Sequence, residues 1–342
     1  MINQNITPTH FQALEDLPIP LALSQCVLHE NELIICGGVH KRDCYSYHTR
    51  KNEYKFICKY PSDVKLVGHC VVKLEDNKND SNETTLLSFG GYYKHTLIMK
   101  YVSVWSNAKS KKASNRNQWI PLTNNHKRPV QIGKDEKEKK ANYQGVRAVI
   151  GGSNNNLLFI TYFPKNISVF DLNLFQFIKH DTLPTEIEIL FHCFVLKCGM
   201  MKTEERSKSR KKRMCEMLLF CKKTGLSIEY NEDNNTFQFR QIPVCDEIAP
   251  FNEYAYVCIN NIILFFDGWN CKSDDESVVS KLVHNYSIQE NKWTTFQNTL
   301  PNLLHNCVAV LSDDNTYVHI IGGWNDKGMP VSTHMKAEVS KW

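Results

Sequence analysis

A short apolar strand that ends in two glycines recurs along this chain and limits what the chain can fold into. It reads Leu-Ile-Ile-Cys-Gly-Gly at residues 33–38, Leu-Leu-Ser-Phe-Gly-Gly at 86–91 and Val-His-Ile-Ile-Gly-Gly at 318–323. A weaker copy at residues 263–269 ends in Asp-Gly-Trp. Recurrence of one short unit is typical of repeat architectures, in which each unit buries its apolar faces against its neighbours.

Each copy lies within a larger unit of four predicted strands. An apolar strand precedes the copy across a polar turn, and a third strand and an aromatic fourth strand near a proline follow it. Two further units keep this order without a glycine pair at the end of the second strand. The approximate units span residues 19–61, 66–122, 144–184, 188–243, 250–301 and 303–342, with polar or basic insertions at 106–117, 123–143 and 199–213.

The two ends of the chain supply complementary parts of one unit. Residues 336–342 align with the third strand at 100–105, and the sixth unit then lacks a fourth strand. Residues 11–18 have the form of that missing strand and precede the first unit. Pairing the two would close a ring and remove long exposed strand edges. We therefore predict an all-β chain that forms a single six-bladed β-propeller of four-stranded antiparallel blades over residues 1–342.

The composition limits the classes of protein to which the chain can belong. With 42% hydrophobic and 23% charged residues, it can bury a large core, which excludes wholesale disorder. No apolar stretch approaches the roughly 20 residues of a membrane-spanning helix. Residues 1–10 carry no secretory signal, and the thirteen cysteines include no Cys-x-x-Cys pair. We expect thiols in a reducing compartment, and hence a cytoplasmic protein that does not contact a membrane.

The net charge of +5 is concentrated in the insertions rather than spread over the repeats. The strongest cluster lies in the 199–213 insertion and consists of Lys208, Arg210, Lys211, Lys212 and Arg213. Such a run resembles a nuclear-localisation or nucleic-acid-binding patch. A long charged insertion is more often a solvated loop, and a nucleic-acid-binding domain usually spreads its basic side chains over a structured face. Nuclear import and nucleic-acid binding are therefore the weaker alternatives.

The glycine pairs, the aromatic residues that follow them and the Leu-Pro endings resemble the kelch-repeat β-propeller family, which is related to the galactose oxidase propeller. The resemblance covers residues 11–342 and is strongest in the first, second, fifth and sixth units. A WD40 propeller would carry Trp-Asp dipeptides, and the chain has none.

The resemblance implies a place and a type of function. In kelch propellers the second strands end on the face that also carries the connections from each fourth strand to the next first strand, and partners bind there. We call this the glycine-end face. The resemblance places on it residues that follow the second strands, together with histidines that precede the first strands. These residues are His40, His69, Tyr92, Tyr93, His95, His192, Trp269, Asn270, His305, Trp324 and Asn325. We expect a monomeric protein-interaction module or scaffold, although each aromatic side chain could instead pack against the neighbouring blade.

The chain offers little support for catalysis or for a bound metal. Nucleophile-elbow, phosphate-loop and zinc-protease motifs are absent, and the copper ligands of galactose oxidase relatives do not map onto it. Cysteines recur at one position of the first strands, at Cys26, Cys70, Cys193 and Cys307. Small residues fit that crowded position, whereas equivalent residues of different blades are too far apart to share one ion. We expect no cofactor and no metal; a propeller enzyme with a site in the central funnel is the alternative.

Overall fold

The computed structural model describes residues 10–75, 83–106, 115–133, 142–197, 214–270, 278–297 and 299–342. Within them, six four-stranded antiparallel sheets form a β-propeller, and the one helical segment is a 3-10 helix, Val339–Lys341. This architecture confirms the predicted fold class. None of the described segments forms a helix long and apolar enough to cross a membrane.

The first strand, β1 (Phe11–Ala13), precedes blade 1 in the chain. Blade 1 consists of β2 (Gln25–His29), β3 (Glu32–Gly38), β4 (Lys41–His48) and β5 (Glu53–Lys59). Blade 2 consists of β6 (His69–Leu74), β7 (Glu83–Gly90), β8 (His95–Val102) and β9 (Ile120–Pro121). Blade 3 consists of β10 (Asn142–Gly151), β11 (Leu157–Phe163), β12 (Asn166–Asp171) and β13 (Gln176–Thr182).

The remaining strands complete the ring. Blade 4 consists of β14 (Cys193–Leu196), β15 (Met214–Cys221), β16 (Thr224–Asn231) and β17 (Thr236–Gln241). Blade 5 consists of β18 (Ala255–Ile259), β19 (Ile262–Phe266), β20 (Val283–Ser287) and β21 (Lys292–Phe296). A two-stranded pair of β22 (Leu304–His305) and β25 (Trp324–Asn325) lies beside blade 6, whose strands are β23 (Val308–Leu311), β24 (Tyr317–Ile321), β26 (His334–Glu338) and β1.

The N-terminal strand closes the ring as predicted. Strand β1 pairs antiparallel with β26, with Phe11 opposite Ala337, and it forms the outer strand of blade 6. Backbone hydrogen bonds continue beyond β1, from Leu14 N to the His334 oxygen at 2.9 Å and from Leu17 N to the Ser332 oxygen at 2.8 Å. The N-terminal segment therefore completes the last blade by strand pairing and hydrogen bonds.

The core is a ring of apolar clusters, each between two adjacent blades. Ile34 of blade 1 packs in one cluster with Leu86 of blade 2, and Leu87 of blade 2 packs in the next cluster with Leu158 of blade 3. Successive strand residues point to opposite faces, and the inner strands of each blade are covered on both faces. Strand β3 is accordingly buried along its whole length. Each blade thus depends on its two neighbours for burial.

The glycine pairs let the end of a second strand approach the connection that enters the same blade. After the pairs, Val39 N donates to the Ala22 oxygen at 2.8 Å and Tyr92 N donates to the Val67 oxygen at 3.0 Å. A Cβ added at Gly91, where φ is +78°, would lie 3.0 Å from that Val67 oxygen. The glycine signal therefore marks contacts on the glycine-end face.

Three predicted features fall wholly or partly outside the described residues. The basic residues Lys208, Arg210, Lys211, Lys212 and Arg213 all lie outside them, as does the whole of the 199–213 insertion. The insertions at 106–117 and 123–143 are described only in part. The eleven cysteines among the described residues are free thiols.

Candidate functional site

Exposed apolar side chains concentrate on the glycine-end face. Seven large hydrophobic side chains of the described residues are exposed, namely Phe56, Tyr92, Tyr93, Ile120, Leu174, Val278 and Met329. Four of the seven, Tyr92, Tyr93, Val278 and Met329, lie in connections between a second and a third strand. Those connections all belong to the glycine-end face, because second strands end there.

On blade 2 the exposed pair is Tyr92 and Tyr93. Their side chains are 56% and 49% exposed, and their rings pack edge to face with centroids 5.0 Å apart. The ammonium group of Lys65 lies 5.3 Å from the Tyr93 ring centroid. The backbone of this segment is fixed by the bond from Tyr92 N to Val67. The two tyrosines therefore project from an anchored turn.

Blades 5 and 6 contribute a second aromatic group on the opposite side of the funnel mouth. The rings of half-buried Trp269 and Trp324 lie 5.3 Å and 5.6 Å from the buried imidazole of His305. His305 and Trp324 also face each other across the β22–β25 pair. The structure thus brings together three of the predicted residues, and both tryptophans retain some exposed surface.

A buried polar network supports this second group. Glu253 Oε2 lies 3.3 Å from His305 Nδ1 and accepts a hydrogen bond from the side-chain amide of Asn306. Beside it, Asp267 accepts a hydrogen bond from the Cys307 thiol, and burial raises the pKa of the Asp267 carboxyl well above its usual range. These contacts fix the strand that carries His305, so the tryptophans sit on a rigid base.

The other predicted residues differ in their exposure. His40 is exposed and Asn325 is half-buried at the end of β25, whereas His95 and Asn270 are each 9% exposed. His69 and His192 are fully buried. The Nε2 atom of His69 lies 3.1 Å from the Cys36 oxygen of blade 1, and that of His192 lies 2.6 Å from Thr161 Oγ1 of blade 3. Side chains without exposed surface cannot contact a partner, so we assign these two histidines to blade packing.

We expect the buried histidines to make the fold sensitive to acid. Burial lowers the pKa of His69 to about 3 and that of His95 to about 4, against 6.5 in an unfolded chain. Below pH 6.5 the unfolded chain binds protons that the folded chain does not, so the free energy of unfolding falls as the pH decreases. Between pH 6.5 and 4.5, the decrease in the free energy of unfolding should be about 2 kcal/mol smaller when His69 is replaced with Gln.

Urea denaturation of wild type and variant at pH 7.0, 6.5, 5.5 and 4.5 would measure this effect. The matched control is His126→Gln, because His126 is exposed and should leave the acid dependence unchanged. Equal acid dependence in wild type and His69→Gln would contradict the prediction.

The centre of the propeller holds a cavity. The sequence suggested a central funnel but did not predict which residues line it. We call it the funnel cavity; its volume is about 190 Å³. It is lined mainly by first strands and the residues just before them, namely 23–26, 68, 70–71, 147–148, 191, 253–256 and 306–309. Cys26, Cys70 and Cys307 are part of this lining, as is Arg147. Among the described residues no cluster of His, Cys, Asp and Glu could hold a metal ion.

Comparison with known proteins supports the fold alone. No protein-family model matches the chain, and no curated protein matches it. The solved structure of the protein YjhT, a propeller, is similar with a TM-score of 0.62 and 12% sequence identity, over 94% of this chain and 96% of that one. The two chains thus share the six-bladed β-propeller fold. The resemblance to kelch repeats rests on the sequence features of this chain.

Proposed function

We propose that this chain is a protein-interaction module that binds a partner protein on its glycine-end face. The observation that carries the proposal is the concentration of exposed apolar side chains there, at Tyr92, Tyr93, Val278 and Met329. Isolated exposed apolar residues are common on protein surfaces. Their grouping on one face, around a concave centre, is typical of an interaction surface.

The side chains on this face are of the types that dominate binding energy at interfaces. Tyrosine and tryptophan provide large contact areas at low cost in conformational entropy, and methionine adapts to a partner's shape. Tyr92 and Tyr93 lie on one side of the funnel mouth, and Trp269 and Trp324 lie on the other. A partner that spans the mouth could contact both groups.

The kelch resemblance supports the same face. Because the chain carries no recognised catalytic motif, we propose a scaffold rather than an enzyme and assign no catalytic step to the chain. The free thiols of the described cysteines agree with a reducing environment, and we propose a cytoplasmic location. The proposal includes no cofactor, membrane or nucleic acid, and it treats the chain as a monomer.

We expect a variant with Tyr92→Ser, Tyr93→Ser and Met329→Ser to lose its partner. Loss of these contacts should weaken binding at least tenfold, or about 1.4 kcal/mol, because truncation of a single hot-spot residue costs about 2 kcal/mol or more. The three side chains are largely exposed, so the variant should keep the wild-type melting temperature. Affinity capture from native lysate, quantified by mass spectrometry, would compare the variant with wild type.

Leu174→Ser is the matched control. Leu174 is 62% exposed, but it lies in the turn between β12 and β13 on the opposite face. The proposal requires this control to retain every partner of the wild type. Retention of all partners by the folded triple variant would rule out this surface, and equal losses in both proteins would show a nonspecific effect of surface hydrophobicity.

A further inference from the structure

The funnel cavity opens at the centre of the glycine-end face and differs from the aromatic rim in its chemistry. Five first strands contribute side chains to its wall, including Gln25, Cys70, Tyr256 and Ala309. Its volume of about 190 Å³ is many times the roughly 10–15 Å³ that one water molecule requires by the same measure, so the cavity has room for a small molecule.

Arg147 gives the cavity a positive charge. It is the one Lys or Arg side chain among the described residues that line the cavity. Its Nη1 donates to the oxygen of its neighbour Val146 at 3.1 Å, and none of the ion pairs between described residues includes it. A guanidinium carries five N–H donors in a fixed fork. Most of that donor capacity is therefore open to a ligand.

The carboxylate in the cavity wall has its own partners. Glu253 is engaged by His305 and by the amide of Asn306. Arg147 lies on blade 3, whereas Glu253 directly precedes blade 5. Burial raises the pKa of the Cys70 thiol, on a neighbouring first strand, to about 11. The positive charge of the Arg147 guanidinium opposes this rise. Among the ion pairs between described residues, Glu253 is thus paired with His305 and not with Arg147.

We propose that the funnel cavity binds a small oxyanion, a carboxylate or phosphate group, through the Arg147 guanidinium. The planar guanidinium matches two oxygens of either group, which is why arginine is preferred for such recognition. The low-dielectric wall strengthens the attraction relative to water. This site is independent of the protein-binding rim, and neither proposal requires the other.

The experiment uses the full chain with inorganic phosphate and acetate as probes, and sodium chloride at equal ionic strength as the reference. Either oxyanion should raise the melting temperature of the wild type in a saturable manner, and the more effective one identifies the preferred group. Arg147→Gln should weaken the apparent affinity at least tenfold. Arg50→Gln, which removes an exposed arginine in the turn between β4 and β5, should not change it. Equal stabilisation by chloride, or of Arg147→Gln and wild type, would overturn the proposal.

A second measurement needs no variant. Cys26 is half-buried and lines the funnel cavity, whereas Cys245 is half-buried outside it, and burial raises the pKa of both thiols. The stabilising oxyanion should slow alkylation of wild-type Cys26 by iodoacetamide at least threefold and leave Cys245 unchanged. Mass spectrometry would measure both rates in one sample. Equal rates at Cys26 with and without the oxyanion, or equal slowing of both thiols, would also overturn the proposal.

Discussion

Deletion of residues 1–18 is expected to lower the free energy of unfolding by about 5 kcal/mol or more and Tm by about 10 °C. The deletion removes β1, which is the outer strand of blade 6. It also removes Phe11 and Leu17, which are only 7% and 4% exposed. Truncation of one buried phenylalanine or leucine alone typically costs about 2–5 kcal/mol.

The packing around Phe11 explains why the effect should be large. Its ring lies 6.4 Å from that of Phe266 in blade 5 and 5.8 Å from that of Trp342. Phe11 therefore joins the last blade to its neighbour as well as completing it. Without β1, the backbone edge of β26 would be exposed and could pair with other chains. We expect the truncated chain to aggregate on heating.

Deletion of residues 1–9 is the control, because it leaves every described residue in place. Differential scanning calorimetry of both truncations would test the prediction. Wild-type melting of the 1–18 deletion would contradict closure of the ring by the N-terminal strand. A loss of stability as large in the 1–9 deletion would assign the effect to residues outside β1.

Gly322→Ala is expected to lower the free energy of unfolding by about 3 kcal/mol or more. Gly322 follows β24 with φ at +64°, where an L-residue costs roughly 1–2 kcal/mol. A Cβ at this position would also overlap the carbonyl oxygen of Leu21, which is backbone and cannot rotate away. That oxygen accepts the hydrogen bond from Gly323 N at 2.8 Å. The substitution therefore strains the junction between blades 6 and 1.

Gly328→Ala separates the two causes. Gly328 has nearly the same backbone conformation, with φ at +67°, but a Cβ there would meet no atom within 4 Å. Only the conformational cost of roughly 1–2 kcal/mol should remain. Urea midpoints of the two variants and the wild type would measure the difference. Equal destabilisation by both substitutions would show that the contact with Leu21 has no energetic role.

The fold could be predicted because each repeat unit carries a short local sequence signature. Each glycine pair marks the end of a second strand, and the unpaired ends at 11–18 and 336–342 indicate how the ring closes. The fourth strand of blade 2, Ile120–Pro121, fits the expected pattern of an aromatic strand near a proline, since Trp119 directly precedes it. The strand is short because a proline cannot donate a ladder hydrogen bond and pairing stops around it.

The site was harder to predict because it depends on side-chain direction. His69, His192 and Arg147 each precede an equivalent small residue of a first strand, yet only Arg147 lines the funnel cavity. Arg147 is paired in the regular part of the β10–β11 ladder, as His69 is in the β6–β7 ladder, so strand register alone does not show which of the two side chains lines the cavity. Val278 and Met329 lie in connections that follow no repeat, so their exposure could be found only in three dimensions.

Site-specific photo-cross-linking tests the central claim most directly. A photoreactive phenylalanine derivative would replace Tyr93 in one protein and Leu174 in another, because both side chains are exposed but lie on opposite faces. After irradiation in native lysate, mass spectrometry would identify the adducts. Binding on the glycine-end face predicts a defined partner protein cross-linked from position 93 and absent from position 174. The same adducts from both positions, or a defined partner from position 174 alone, would contradict it.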